Sequence, residues 1–230
     1  MKGQLASRSC ATKGCGRSTR SQYGRYCNRC RLRAWKHGDP AQIPIRKWTE
    51  LNKYRKLVTR LLKRANMEKI ELHLRAVAER LGDAARSPEA VASPFGVDRW
   101  KRRAVDEVLK VLGDTEAVES GILVAAVFLM RDQERRRFVN DTAFDFELVR
   151  LWRSQTYVNF GSYWNQATDK VVSTYRPLPR GVVEVMAPYL VAAYSRFASY
   201  VIRALKKDLA QQAALRTSLD EGFAPLLTDQ

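Results

Sequence analysis

Histidine is almost missing from this chain: His37 and His73 are the only two among 230 residues. That scarcity excludes most chemistry built on a histidine base or a histidine-activated nucleophile. Cysteine is nearly as rare, and Cys10, Cys15, Cys27 and Cys30 all precede residue 31. Four cysteines so clustered make a poor disulfide scaffold and suit a metal site better. Long apolar runs are absent as well. The longest, residues 121–130, has ten residues, where a membrane-spanning helix needs about 20. No basic start followed by an apolar block and a small-residue cleavage site opens the chain, so secretion by that route is not expected. With 45% apolar residues a packed core is expected, as one large domain or a small module joined to a medium one.

Acidic residues are scarce at one end only. Residues 1–64 hold 18 basic and two acidic side chains, a net +16, and residues 65–230 hold 23 and 22, a net +1. A uniform excess would speak only to solubility, but a segregated one is the electrostatic footprint of a polyanion partner.

The cysteines read Cys10-x4-Cys15, eleven residues, then Cys27-x2-Cys30. Two short thiol pairs joined by a hairpin-length spacer supply the four soft ligands that one structural zinc ion takes. Gly14 and Gly16 flank Cys15, where a tight knuckle needs unusual backbone angles. A hairpin strand is expected over 22–26, and Cys30 in the first turn of a helix running to about His37. Gly38 then forms the C-terminal cap, and Asp39-Pro40 the stop. Four reduced cysteines without metal, or a disulfide pair, are the competing readings.

Residues 10–40, CATKGCGRSTRSQYGRYCNRCRLRAWKHGDP, resemble the small treble-clef zinc finger of phage and mobile-element proteins, which often precedes an HNH endonuclease domain. They are also similar to the zinc knuckle of a small-subunit ribosomal protein. The matching positions are Cys10, Gly14, Cys15, Arg17, Gly24, Cys27, Cys30, Arg33 and the His37-Gly38-Asp39-Pro40 run. The phage-type finger usually has histidine as its fourth ligand, whereas this chain has Cys30, as in the ribosomal pattern. The resemblance implies one zinc ion and a nucleic-acid partner. HNH catalysis needs further histidines, and only His73 follows the finger, in a stretch of charged residues. The chain therefore reads as the finger without the nuclease.

From Pro44 a helix is expected for several turns, its apolar face formed by Ile45, Trp48, Leu51, Tyr54, Leu57, Val58, Leu61, Leu62 and Ala65. Arg46, Lys53, Lys56, Arg60, Lys63 and Arg64 lie on the opposite side. Arg29, Arg33 and Lys36 share a face of the preceding helix. With Arg17, Arg20 and Arg25 these are the candidate nucleic-acid contacts, and a solvated helix face is the plainer alternative. Met67, Ile70, Leu74, Val77 and Leu81 then make a two-heptad seam, expected to pack on downstream helices, with self-association as the second option.

The remainder reads as an all-α body of five or six helices over 87–216. A helix start is expected at Ser87-Pro88-Glu89 and a break at residues 93–96. An amphipathic helix follows over 98–112, stopped by Gly113, with Asp114 capping the next. Residues 122–130, apolar all round, belong in the middle of the core. Asp141 is expected to cap a helix through Phe144, Leu148, Leu151 and Trp152, and a last long helix runs over roughly 182–215. Aromatics at helical spacing (Phe144, Trp152, Tyr189, Tyr194, Phe197, Tyr200) are assigned to the core in preference to base stacking. Asp141, Asp145 and Glu147 are assigned to the scaffold. The tail, 217–230, is expected to be extended, and Phe223, Leu226 and Leu227 could hold a partner.

The fold expected is thus mainly α: an N-terminal treble-clef zinc finger (1–42), a basic amphipathic helix and heptad-like helix (43–86), an all-α body and a tail. The function expected is non-enzymatic, zinc-dependent nucleic-acid binding of phage or mobile-element type, with protein docking through the body. A structural component of a larger ribonucleoprotein or virion assembly is the alternative, and a metal-dependent nuclease the third reading. Location in the cytoplasm, on nucleoid, ribonucleoprotein or virion, follows from these, with no membrane partner.

Overall fold

A computed structural model describes residues 8–227 apart from 20, 22, 94–95 and 157–159, and for 93, 96–97, 160, 173–174 and 216–227 it describes the backbone alone. The fold is mainly helical, with a cysteine-rich N-terminal module. Its helices are α1 (Asn28–His37), α2 (Asn52–Arg64), α3 (Met67–Arg86), α4 (Arg99–Asp114), α5 (Ala117–Gln133), α6 (Asp141–Arg153) and α7 (Arg180–Leu227). Two antiparallel ribbons interrupt them: β1–β2 (Ala92–Ser93 with Gly96–Val97) and β3–β4 (Phe160–Asn165 with Lys170–Tyr175). Among the described residues no helix is long and apolar enough to cross a membrane.

α5 sits at the centre because residues 122–127 are buried on every side. α7 lies against α4, α5 and α6, while α2 and α3 pack on α5. One apolar core runs from Ile45 to Leu205 and includes Leu51, Tyr54, Val58 and Leu62 of the basic segment and Leu74, Val77 and Leu81 of the heptad seam. That seam therefore packs within the chain. Helix starts follow capping chemistry: Asn66, Asp98 and Asn140 accept backbone N–H bonds from Lys69, Trp100 and Ala143 respectively.

Several local expectations need correction. The body's four helices (α4 to α7) are fewer than five or six, and it is not purely α, since β3–β4 pairs over six residues a side. Gly113 and Asp114 lie inside α4; Glu116 precedes α5, and Asn140 rather than Asp141 caps α6. Ser87-Pro88-Glu89 opens only a short 3-10 turn. Residues 217–227 continue α7 as helix instead of being extended; the side chains of Phe223, Leu226 and Leu227 lie outside those described. The strand expected over 22–26 is absent among its described residues. The helix expected from Pro44 begins at Lys47, as a π turn (Lys47–Leu51) closed by Leu51 N to Arg46 O at 3.2 Å. The wider winding of a π turn shifts the angular phase of the residues in it. Trp48, expected on the apolar face, is 73% exposed.

One buried contact joins the N-terminal module to the body. Glu147 of α6 has no exposed surface. His37 Nδ1 donates to its Oε1 at 2.5 Å, and Ile45 N and Arg150 Nη2 donate to its Oε2 at 3.2 and 2.5 Å. Burial alone would push this carboxyl up, but the His37 N–H and the Arg150 guanidinium outweigh it and hold it below its ordinary value of 4.5. Around it the 38–45 segment is clasped. Gly38 turns with φ 78°, and a Cβ there would lie 2.8 Å from the Thr142 carbonyl. Asn140 Nδ2 donates to Asp39 at 2.9 Å, buried Gln42 bonds the backbone of Arg137 and Val139, and Arg137 donates to Ile43 O and Pro44 O.

Removing one member of such a buried set leaves the others uncompensated. Glu147→Ala is expected to cost about 3–5 kcal/mol in chemical denaturation, and Glu147→Gln less. Because the folded-state value is depressed, this stability is present above about pH 4.5 and is lost as pH falls through the folded value. The melting-temperature gap between wild type and Glu147→Gln should therefore shrink on acidification.

Candidate functional site

The four sulfurs converge. The ligand atoms of Cys10, Cys15, Cys27 and Cys30 all lie within 4.8 Å of one another. Sγ of Cys15 is 3.7 Å from that of Cys27 and 3.5 Å from that of Cys30. A disulfide needs about 2.05 Å, so none is formed. Tetrahedral coordination at about 2.3 Å per thiolate separates sulfurs by roughly 3.8 Å. The site therefore has the dimensions for one metal ion.

Local backbone explains the convergence. Residues 8–10 and 17–19 form a narrow hairpin, with Cys10 N to Arg17 O at 2.8 Å and Thr19 N to Arg8 O at 2.7 Å. Gly14 and Gly16, at φ 73° and 61°, fold the chain between its cysteines into a knuckle. The second pair comes from the start of α1, where Cys27 is the residue before the helix and Cys30 lies in its first turn. The thiols are electrostatically uneven. Hydrogen bonding from the Thr12 hydroxyl and the Cys27 amide lowers Cys10 to about 6. At Cys30 the pull of Thr12 is outweighed by burial and by the three other sulfurs, which push it up to about 12. Four crowded thiols resist joint ionisation, and a bound cation removes that resistance.

The basic candidates divide. Arg17, Arg25, Arg29, Lys36, Arg46, Lys56, Arg60 and Lys63 are exposed, and Arg33 is half-buried. None of these nine has an ion-pair partner among the described residues. Lys53 and Arg64 are exposed too, but they pair with Glu134 at 2.6 Å and Asp208 at 3.3 Å, so their charge is partly spent inside the molecule. Arg20 lies outside the described residues. Arg17 and Arg29 flank an open depression of about 510 Å³ beside the first turn of α1, shared with Ser18, Thr19 and Asn28. α1 packs on α6 and α2 on α5, so the two cationic helices are carried by different parts of the core.

Counting charge along the sequence missed two cations that the fold adds. Arg135 and Arg136 are exposed in the loop between α5 and α6. Their neighbour Glu134 accepts from Lys53 and Tyr54, and Arg137 donates to Glu50, Ile43 and Pro44. The loop thus lies between the segment leaving the cysteine module and the start of α2. The triple arginine was the signal available, diluted in the balanced second part of the chain.

Glu147 and His37 were the other residues whose role the sequence concealed. His73 is exposed at the edge of α3, as expected, with its ring 6.4 Å from that of Phe197. Asp141 pairs with Arg131 at 2.6 Å, and half-buried Asp145 is raised by burial and by Asp141. Compared with known proteins, the chain matches no family model, no curated protein and no solved structure.

Purified protein is expected to contain one metal ion per chain by elemental analysis, and Cys27→Ser to lose it. Chelation should expose the backbone of residues 8–36 to protease while the core around α5 stays protected. A metal-free module that remains protease-resistant would remove the metal from the site, since so small a unit has little core to hold it.

Proposed function

We propose that the chain is a zinc-dependent nucleic-acid-binding protein without catalytic activity of its own, in which a treble-clef finger and the neighbouring basic surfaces hold the phosphate backbone. Zinc is the ion favoured by four thiolates in a closed, tetrahedral arrangement with no position left for substrate. The carrying observation is the set of exposed cations without ion-pair partners among the described residues: Arg17, Arg25 and Arg29 in the cysteine module, and Lys56, Arg60 and Lys63 on α2, at i, i+4 and i+7. Phosphates would meet Arg17 and Arg29 beside the first turn of α1, where backbone N–H groups add to the positive field. Such contacts position a polymer and carry no sequence code.

The non-catalytic part of the proposal is supported by the chemistry of the remaining groups. Among the described residues the cysteines are the one cluster of three or more His, Cys, Asp or Glu able to hold a metal ion. His37 is committed to Glu147, and Asp141 to Arg131.

If about six phosphates are neutralised, the slope of log K against log salt for duplex DNA should be near −5. Lys56→Glu, Arg60→Glu and Lys63→Glu together are expected to flatten that slope by roughly two to three without lowering the melting temperature. The same reversal at ion-paired Lys53 should instead reduce stability by repelling Glu134. Filter binding across a salt series checks the first, and thermal melting the second. A slope near zero in wild type would refute the electrostatic reading.

A further inference from the structure

The aromatics of the second half do not all belong to the core. Phe144, Trp152, Tyr194 and Phe197 are buried and Tyr189 partly so, but Tyr200, expected in the core, is 46% exposed. Tyr163 and Trp164 in β3 are 52% and 56% exposed, and Val171 opposite Trp164 is 62% exposed. Adjacent strand residues point to opposite faces, so the ribbon is bare on both sides. A lone two-stranded ribbon is marginal in water, yet this one is anchored. Tyr175, at the end of β4, accepts from Arg153 Nη1 at 2.9 Å, and Arg153 is itself paired with Glu107 in the buried interior at 2.8 Å.

Two other exposed tryptophans lie next in sequence to lysines that reach the C-terminal end of α6. Lys36 lines a small cleft with Arg150, Arg153 and Tyr175, and its neighbour Trp35 on α1 is 47% exposed. Lys47 Nζ donates to Ser154 O at the end of α6 at 2.7 Å, and also lies 5.1 Å from the Trp48 ring centre. Of the five tryptophans, Trp152 is buried and Trp100 packs partly on the core. The other three are exposed, and all sit on elements that meet the C-terminal end of α6.

We propose that the β3–β4 ribbon forms a two-sided stacking platform for single-stranded nucleic acid, with Tyr163 on one face and Trp164 on the other. The proposal rests on the nucleic-acid reading above and names the strand state it selects. Unpaired bases offer π-faces to aromatic side chains, and the chain that carries them needs cations alongside. Here exposed Lys36, which shares a cleft with Tyr175 at the base of the ribbon, and exposed Lys170 and Arg176 supply those cations, and Asp169 is the single acidic residue between 160 and 176. A duplex keeps its bases stacked on one another and has no free face to give. The sign of the surrounding charge fits a phosphate polymer better than a basic or neutral peptide.

The test uses the full, metal-loaded chain and fluorescence anisotropy with a labelled oligo-dT of about 20 nucleotides and a duplex of equal length. At the same salt, the single strand is expected to bind roughly tenfold or more tighter than the duplex. Tyr163→Ala with Trp164→Ala should weaken single-strand binding by at least about tenfold and duplex binding by less than about twofold, with an unchanged salt slope. Trp164→Phe alone should retain most of the affinity. Quenching of wild-type tryptophan fluorescence by unlabelled oligo-dT gives a second reading that needs no variant. Equal affinity for both polymers, an unaffected double variant, or absence of quenching would overturn the platform while leaving backbone binding intact. Failure of both polymers to bind would overturn the nucleic-acid reading as well and assign the ribbon to a protein contact.

Discussion

Glu147 has no exposed surface and still carries its charge, because partners from distant parts of the chain surround it. His37 comes from the last turn of α1, Ile45 from the segment that follows, and Arg150 from one turn along α6. A buried carboxylate is tolerable only when its lone pairs are all used. That requirement fixes the exit of the cysteine module to the body with little freedom of angle. Gly38 allows the approach, since any side chain there would strike the Thr142 carbonyl or the Phe146 ring.

The cysteine module depends on this contact for its placement, and its four converging thiols could hold a metal ion that would fix its shape. Between residues 8 and 27 the backbone offers one narrow hairpin and little buried apolar surface: only Thr19 and Cys27 are buried there among the described residues. The first end of α1 is organised by thiols, and the last end by Glu147. A second buried ion pair, Arg153 with Glu107, does for the β3–β4 ribbon what Glu147 does for the module. Both projecting elements are thus hung from α6 through charged groups set into the core.

Helices and the cysteine cluster were legible in the sequence because their signals are local. Cysteine spacing, Gly38 at the cap and the 122–130 apolar block each occupy a few turns of chain, and each lies where the spacing puts it. The β3–β4 ribbon was not legible, since alternation marks a strand only when one face is buried, and both faces here are bare. Trp48 misled because a 100° step was carried through a π turn. The docking of His37 on Glu147 spans 110 residues, and its one trace was a carboxylate placed beside Phe144, Leu148 and Leu151 on an apolar face. Lys53 and Arg64 read as free cations because Glu134 and Asp208 lie far along the chain. Charge pairing is a property of the fold, and counting residues by segment overestimates the free surface.

Whether the cysteine module is part of the proposed binding surface is the point on which the proposed function turns. The most direct measurement is the salt dependence of duplex binding by the full chain before and after chelation, with circular dichroism confirming that the helices persist. Loss of metal is expected to release Arg17, Arg25 and Arg29 from a fixed arrangement and to reduce the slope by roughly two, with weaker binding at every salt. An unchanged slope and affinity in the chelated protein would contradict the role given to the cysteine site.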